Sequence, residues 1–324
     1  MATQAETQQA SARDEARHYD IVVVGGGPAG LAAAEAAAKG GARVAVLERQ
    51  KEIGYPVHTS GGSWISDMQA IGIPGHLYHP IRSVTFLSPH REARFDYVDP
   101  VCCVLDVRGV YQHLAGRAVA AGAELHPNSP VEGPIVEDGR VVGVIAKDHR
   151  NRIGEWRAPV VIDASGFSCT LSTRTTLHAG YKRYGYGAEY DFYAPNYDQD
   201  SLYLIMGSQV APSGYAWAFP RGKGRVRLGV GVIRPDVDAD AREYLDTFAE
   251  RLPSLAPAFA GASPVEYHTG LFPSEGVVEH FVGEGLLATG DAAGHGSTLV
   301  GEGIRFAIYS GQMAGGVAAE AVHA

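Results

Sequence analysis

Cysteine is scarce in this chain of 324 residues: there are three, Cys102, Cys103 and Cys169. Two are adjacent, a spacing that rarely bridges, so no disulfide framework is expected and a reducing compartment, the cytoplasm, is the simple reading. No apolar run approaches the roughly 18 residues that would span a membrane, which leaves at most a peripheral membrane contact. The stretch Met1 to His18 is polar and lacks the apolar core of a signal peptide; it reads as a disordered tail. Dense runs of Lys or Arg are missing and the formal net charge is −9, which argues against a nucleic-acid partner. No metal site and no internal repeat are expected.

Glycine, by contrast, is abundant, with 41 residues. Without low complexity, that excess points to tight turns and to places where backbone approaches something closely. The apolar fraction of 45% supports a sizeable core in one large unit or two interleaved domains. Tyr19 to Val24 reads as a strand, Leu31 to Lys39 as an Ala-rich helix stopped by Gly40-Gly41, and Arg43 to Leu47 as a second strand. Further pieces of the same kind are a helix from Val110 to Ala121, strands at Ala158–Asp163 and Gly285–Thr289, and a closing helix from Glu302 to about Val322. Between them, residues 81–97 and 186–232 look antiparallel and β-rich, with clean alternation in Val226, Leu228, Val230 and Val232. Arg221 to Gly224 reads as a turn, and Asp240 to Arg251 as an amphipathic helix with Asp240 as N-cap. The fold class is therefore α/β. A Rossmann-like domain is assembled from 19–80, 101–180 and 282–324, with an inserted antiparallel substrate domain from 81–100 and 181–281.

The first chemical motif is Gly25-Gly-Gly-Pro28-Ala29-Gly30, a GxGxxG. Gly25 permits the tight strand-to-helix turn, Gly27 lets a pyrophosphate approach the backbone, and Gly30 lets helix pack on strand. The helix start, with Pro28 and Ala29, offers free N–H groups and a positive dipole end to phosphate. Glu48, followed by Arg49, ends the second strand and can accept hydrogen bonds from a ribose diol. This motif alone does not separate FAD from NAD. Two later turns do: Ile162-Asp163-Ala-Ser-Gly166, and Leu287-Ala-Thr-Gly290-Asp291-Ala-Ala-Gly294.

In their order and spacing these three motifs resemble the aromatic-hydroxylase-like superfamily of FAD-dependent oxidoreductases. The resemblance implies FAD as cofactor, with Asp291 against the flavin ribityl chain and Gly290 and Asp163 in the cofactor turns. It also matches Arg108, in Leu105-Asp-Val-Arg-Gly, to a cofactor-contacting arginine; its other reading is a solvated charge at a helix start. Tyr215-Ala-Trp217-Ala-Phe-Pro220 and Leu299-Val-Gly301-Glu302-Gly303-Ile304 narrow the resemblance to the geranylgeranyl reductase family, over roughly Tyr19 to the end. Gly301 and Gly303 open the last helix. Its N-terminus, aimed at the pyrimidine edge of a flavin, would stabilise the negative charge that develops at N1–C2=O on reduction.

Two departures bear on substrate rather than cofactor. Many members of that family carry a Cys in the early loop, where Gly54-Tyr-Pro-Val-His58-Thr59-Ser-Gly has Thr59. His58 beside it is a candidate base or a loop histidine facing solvent. Members also continue beyond the last helix. The resemblance implies reduction of C=C bonds in a prenyl-type lipid, with electrons from a transient donor, NAD(P)H or ferredoxin, since no second dinucleotide fingerprint is present. Tyr215 is a candidate acid. Tyr215 and Trp217 would line an apolar cavity, with room left by Gly229 and Gly231; the other reading is an aromatic core strand. A flavin-dependent monooxygenase or halogenase is the alternative, since halogenases carry a similar Trp strand. A halogenase should place a Lys on a loop between flavin and substrate, and Lys39, Lys51 and Lys223 lie elsewhere. A flavin-binding module without substrate chemistry is a third reading.

Overall fold

The computed structural model describes residues 16–324. At its centre lies a sheet of six strands in the order Val282–Gly283, Leu286–Ala288, Val160–Asp163, Ile21–Val24, Val44–Leu47, Glu124–His126. All but the first edge pair run parallel. Ile21–Val24 and its neighbours on both sides, Val44–Leu47 and Val160–Asp163, are buried along their whole length. This is why they read as unbroken β-branched runs rather than alternating ones. The register decides where function can sit. Val24 pairs with Leu47 and with Asp163, and Asp163 pairs with Ala288. The chain therefore leaves four neighbouring strands at one edge, through Gly25, Glu48, Ala164 and Thr289, the carboxyl edge at which parallel sheets bind ligands.

One face of this sheet is covered by the helices Pro28–Lys39, Val107–Ala121 and Ile304–His323. The first and last touch backbone to backbone. A Cβ on Gly311 or Gly315 would fall 2.2 or 2.1 Å from the carbonyl oxygens of Ala29 and Ala33. The buried Glu35 holds the middle helix by accepting from Arg117 Nε at 3.1 Å. Against the other face packs a four-stranded sheet, Arg17–His18, Ile153–Arg157, Arg140–Lys147 and Val131–Glu137, around the buried Trp156. Arg17–His18 is thus a strand paired with Trp156–Arg157, not part of a tail; the rest of the expected tail lies outside the described residues.

A second large sheet has the order Ser263–Pro273, Tyr184–Tyr193, Arg225–Arg234, Gly214–Gly222, Ser201–Ile205, Ser83–Leu87, Glu92–Asp96. It is antiparallel except between Ser201–Ile205 and Ser83–Leu87, which run parallel. Its outer face carries Ala216, Ala218, Val226, Leu228, Val230 and Val232 against a helical cover. That cover is two short helices, Ala241–Asp246 and Phe248–Arg251, broken at Thr247, rather than one. Asp240 caps the first as expected, accepting from Arg242 N–H at 2.9 Å. The inner face meets a small sheet of Gly62–Trp64, Cys102–Leu105 and Tyr78–Ile81 through Trp217, Phe219, Ile81, Cys102 and Val104. The expected antiparallel run from Ile81 is therefore split: Tyr78–Ile81 belongs to this small sheet and only 83–96 to the large one. All three cysteines are free and buried.

Candidate active site

The glycine turn shows three different environments. Gly25 has φ +111, and a Cβ there would lie 2.3 Å from Ala164 O, so the turn is pressed against the neighbouring strand end. Gly30 would put its Cβ 2.0 Å from Gly25 O, leaving no room for a side chain between helix and strand. A Cβ on Gly27, however, meets nothing within 4 Å. Close contact within the fold thus requires Gly25 and Gly30, whereas Gly27 faces open space at the N-terminus of Pro28–Lys39. That helix has no side-chain cap, and Pro28 at its start removes one donor that would otherwise stay unpaired. Its remaining first-turn N–H groups point into an open cradle, the arrangement a diphosphate needs. Glu48 is fixed beside it: Oε2 accepts from Gly26 N–H at 2.6 Å and Oε1 from Gln50 N–H at 2.7 Å. Arg49 is exposed.

Of the two later turns only one presents a free carboxylate. Asp163 is fully buried and spent on its own turn. Its Oδ1 accepts from Ser165 N–H and Oγ, and its Oδ2 from Leu171 N–H, Ser172 N–H and Ser172 Oγ, at 2.6–3.2 Å. Its expected place among the cofactor contacts is therefore corrected: it builds the turn against which Gly25 packs. Asp291 is the opposite case. It is half-buried, and among the described residues nothing donates to its carboxylate. Burial pushes that carboxyl up to about 6. Its backbone oxygen is held by Tyr181 Oη at 2.8 Å, while a Cβ on Gly303 would lie 3.5 Å from its Oδ1. Gly290 packs on Ala29, with room for no more than hydrogen at φ +64. A carboxylate left in this state, between the two glycine turns, fits a hydroxyl-bearing chain such as ribityl.

The segment Gly301-Glu302-Gly303-Ile304 does open the final helix, with Gly303 as N-cap and no side-chain cap. Glu302 itself turns away: it accepts from Ser63 Oγ at 3.0 Å and from Arg305, which also reaches Asp67 at 3.2 Å. What this segment offers a flavin is backbone, not the carboxylate. Arg108 stands at the start of Val107–Ala121, exposed and ion-paired with Glu52.

Tyr215, Trp217 and Phe219 lie on one face of their strand, with Ala216 and Ala218 on the other. The expected room over Gly229 and Gly231 is not empty, however. Trp217 itself fills it; a Cβ on Gly229 would lie 2.3 Å from its ring and one on Gly231 3.3 Å away. Trp217 also donates from Nε1 to Glu189 Oε2 at 3.0 Å. Tyr215 donates its hydroxyl to Val300 O, next to Gly301, and burial together with the nearby Glu302 and Glu189 pushes its phenol up to about 12. In this arrangement its proton is engaged by a backbone carbonyl oxygen.

Sequence reasoning missed the polar cluster under these aromatics. Arg227 is 1% exposed, its Nε 3.4 Å from Asp191 Oδ2 and 3.9 Å from Glu189 Oε1. Arg221 and Arg225 also pair with Asp191. Burial opposes ionisation of Glu189, but His268 and Arg227 outweigh it and hold its carboxyl below the usual range. The signal was present as charges at alternate positions, Glu189 with Asp191 and Arg225 with Arg227, in strands otherwise apolar or glycine on that face. The early loop docks on this cluster. Arg227 Nη1 donates to Ser60 O at 2.6 Å and Thr59 O at 3.4 Å, and His58 Nδ1 is 2.9 Å from Thr269 O. His58 and Thr59 thus sit where the loop meets the sheet.

The comparisons bear on this site directly. Residues 20–171 match the FAD dependent oxidoreductase family, and 184–271 match the geranylgeranyl reductase catalytic domain. A digeranylgeranylglycerophospholipid reductase of Methanopyrus kandleri is 33% identical over 310 residues, 94% of this chain and 78% of the relative. One from Methanothermobacter thermautotrophicus is 33% identical over 312 residues with the same coverages. A geranylgeranyl bacteriochlorophyll reductase-like protein of Thermoplasma acidophilum superposes with a TM-score of 0.87 at 30% identity, covering 95% of this chain and 79% of that one. A flavin-dependent brominase, at 20% identity and a TM-score of 0.76, shares the fold.

Proposed function

The chain belongs to the geranylgeranyl reductase family of FAD-dependent oxidoreductases, and from that premise we propose that it saturates C=C bonds in the prenyl chains of a lipid. The observation that carries this reading is the seam between Tyr215 and Val300, which joins the aromatic strand to the loop opening the final helix. It sets an apolar sheet face beside the turn that bears the free Asp291. An isolated alkene has no polar handle, so shape and aromatic contact must place it.

In this reading FAD, when bound, supplies the hydride. The first turn of Pro28–Lys39 holds the diphosphate at Gly27, Glu48 takes the ribose diol, and Asp291 accepts from the ribityl hydroxyls. The N–H groups that start Ile304–His323 stabilise negative charge at the pyrimidine edge. Arg49 and Arg108 flank the cofactor from solvent. Residues 19–80, 101–180 and 282–324 form the cofactor domain, and 81–100 and 181–281 the substrate domain. The donor, a nicotinamide or a ferredoxin, acts transiently. Among the described residues no helix is long and apolar enough to cross a membrane. Leu299, 87% exposed beside Val300, supports peripheral contact with the membrane that holds such a lipid.

The test is anaerobic reduction of the FAD-loaded protein with each donor class, followed by mixing with vesicles containing a polyprenylated glycerophospholipid. Reoxidation with two hydrogens gained per double bond is expected, read by mass spectrometry. Reoxidation by dioxygen alone, with oxygenated or halogenated products, would replace this reading with the monooxygenase or halogenase one.

A further inference from the structure

A buried ion cluster adds little to stability by itself; apolar side chains of similar volume in its place are often as stable or more so. Arg227 is nevertheless 1% exposed, in a strand otherwise built from Val, Leu, Ile and Gly between its terminal arginines. Its register places it opposite Phe219 on one neighbouring strand and Asp191 on the other, so it shares the inner face with the aromatic strand. One side of the guanidinium stays within the sheet: Nε is 3.4 Å from Asp191 Oδ2 and 3.9 Å from Glu189 Oε1. The other reaches off the sheet, where Nη1 donates to Ser60 O at 2.6 Å and to Thr59 O at 3.4 Å. A planar fork presents donors in two fixed directions at once, which the single point of an ammonium does not.

The loop that Arg227 grips is rooted on the opposite side of the site. Val57 is buried with Leu31, Val107 and Ile304, among the helices that cover the central sheet. Gly61 O accepts from Leu105 N–H at 2.8 Å, and Ser63 Oγ donates to Glu302 at the opening of the final helix. Against the second large sheet the same loop presses close. A Cβ on Gly270 would lie 2.2 Å from His58 O, and one on Gly62 3.0 Å from the Phe219 ring. On the sheet itself, Glu189 accepts from Trp217 Nε1 at 3.0 Å through its other oxygen. Arg227 thus stands between the Trp217 ring, which it reaches through Glu189, and the Thr59–Ser60 backbone, which it binds directly.

Resting on the C=C-reductase reading, we propose that Arg227 is a positioning residue for that reaction. It fixes the early loop against the aromatic strand and so sets the gap in which an alkene is presented to the reduced flavin. It acts through the loop carbonyls and Glu189, not on the alkene. The rest of the cluster leaves it free for this task. Arg221 and Arg225 also pair with Asp191, and Arg225 reaches Glu266 at 2.9 Å, so Asp191 does not depend on Arg227 alone for its counter-charge. Among the described residues no other side chain donates to Thr59 O or Ser60 O. An apolar side chain would fill the same space and grip neither carbonyl; a lysine would keep the charge and lose the fork.

The experiment uses the FAD-loaded full chain and the variants Arg227→Lys, Gly270→Ala and the two combined. Gly270→Ala leaves every charge in place and displaces the loop from its other contact, His58 O, so it decides the matter alone if Arg227→Lys fails to fold. The dithionite-reduced proteins are mixed in a stopped-flow instrument with vesicles containing a polyprenylated glycerophospholipid, at increasing lipid concentration. Each single variant should lower the limiting rate of reoxidation per bound flavin about ten- to a hundredfold, the loss that a misplacement of about 1 Å can cause. The lipid concentration at half the limiting rate, the FAD content and the dithionite reduction rate should stay near wild type. Because both changes act on one loop, the combined variant should be no slower than the slower single one. If Arg227 served stability only, the melting temperature and the yield of FAD-loaded protein would fall while the rate per bound flavin stayed as in the wild type. That result, in either folded variant, would overturn the positioning role, as would losses that multiply in the combined variant. A wild-type protein that never forms saturated lipid would instead overturn the reading on which the role rests.

Discussion

Replacing Gly27 and Gly30 by alanine puts the same methyl group at two points of one turn, three residues apart, and the structure expects opposite consequences. At Gly30 the added Cβ would stand 2.0 Å from the Gly25 carbonyl oxygen, a backbone atom that no rotamer change can move aside. Helix and strand must separate, and overpacking of this kind costs about 1–3 kcal/mol. The protein should therefore melt earlier, with or without cofactor present. At Gly27 the same Cβ meets nothing within 4 Å, and φ is −80, a value any residue adopts. The apo-protein should keep its stability to within about 0.5 kcal/mol. The methyl would instead enter the cradle where a diphosphate must touch backbone N–H groups. Losing one charge-assisted hydrogen bond of about 1.5–3 kcal/mol lowers affinity roughly ten- to a hundredfold. Denaturant melts of both apo-variants, paired with fluorescence titration of FAD, separate the two cases. Wild-type FAD affinity in Gly27→Ala would refute the cradle. Equal destabilisation of both apo-variants would refute the distinction between them.

Three further substitutions test the rest of the site. Asp291 has its carboxyl raised from 3.8 to about 6, so the folded apo-protein holds that proton more tightly than the unfolded chain. Apo stability should fall as pH rises from about 4 to about 6, and Asp291→Asn should abolish that loss, a gain of at most about 3 kcal/mol at neutral pH, while weakening FAD binding; parallel pH–melting curves for the two proteins would contradict this. Trp217→Ala removes the ring that fills the space over Gly229 and leaves Glu189 short of a donor, so a loss of about 3–5 kcal/mol is expected in urea melts. Unchanged stability with impaired lipid turnover would restore the open-cavity reading. Glu48→Ala should lower FAD affinity roughly tenfold or more, measured by titration, and cost the apo-protein about 1–3 kcal/mol, because the buried Gly26 N–H loses its acceptor; full-strength binding would remove Glu48 from the site.

What the sequence determined by itself was local. A Gly25–Gly30 turn between a β-branched run and an Ala-rich helix dictates its own geometry, because each glycine answers to backbone within a few residues or to the space beside it. Asp240 as a cap, the turn at 221–224 and the alternation of Tyr215 to Phe219 are equally short-range, and with the ordered turns at 163 and 291 they were enough to name the cofactor and family. The tertiary structure decided which polar groups remain free. Asp163 and Asp291 follow similar strand ends, yet one is saturated by Leu171 and Ser172 and the other has no donor among the described residues. Glu302 belongs to the segment that opens the last helix, yet its carboxylate accepts from Ser63, 239 positions away. The space promised by Gly229 and Gly231 was filled by a ring from the next strand. The contacts of His268 with Glu189 and Glu266 exist only through strand register. A hydrogen bond saturates an acceptor only at a distance of about 3 Å, and which donor comes within that distance depends on how remote segments pack, a quantity that spacing along the chain does not contain.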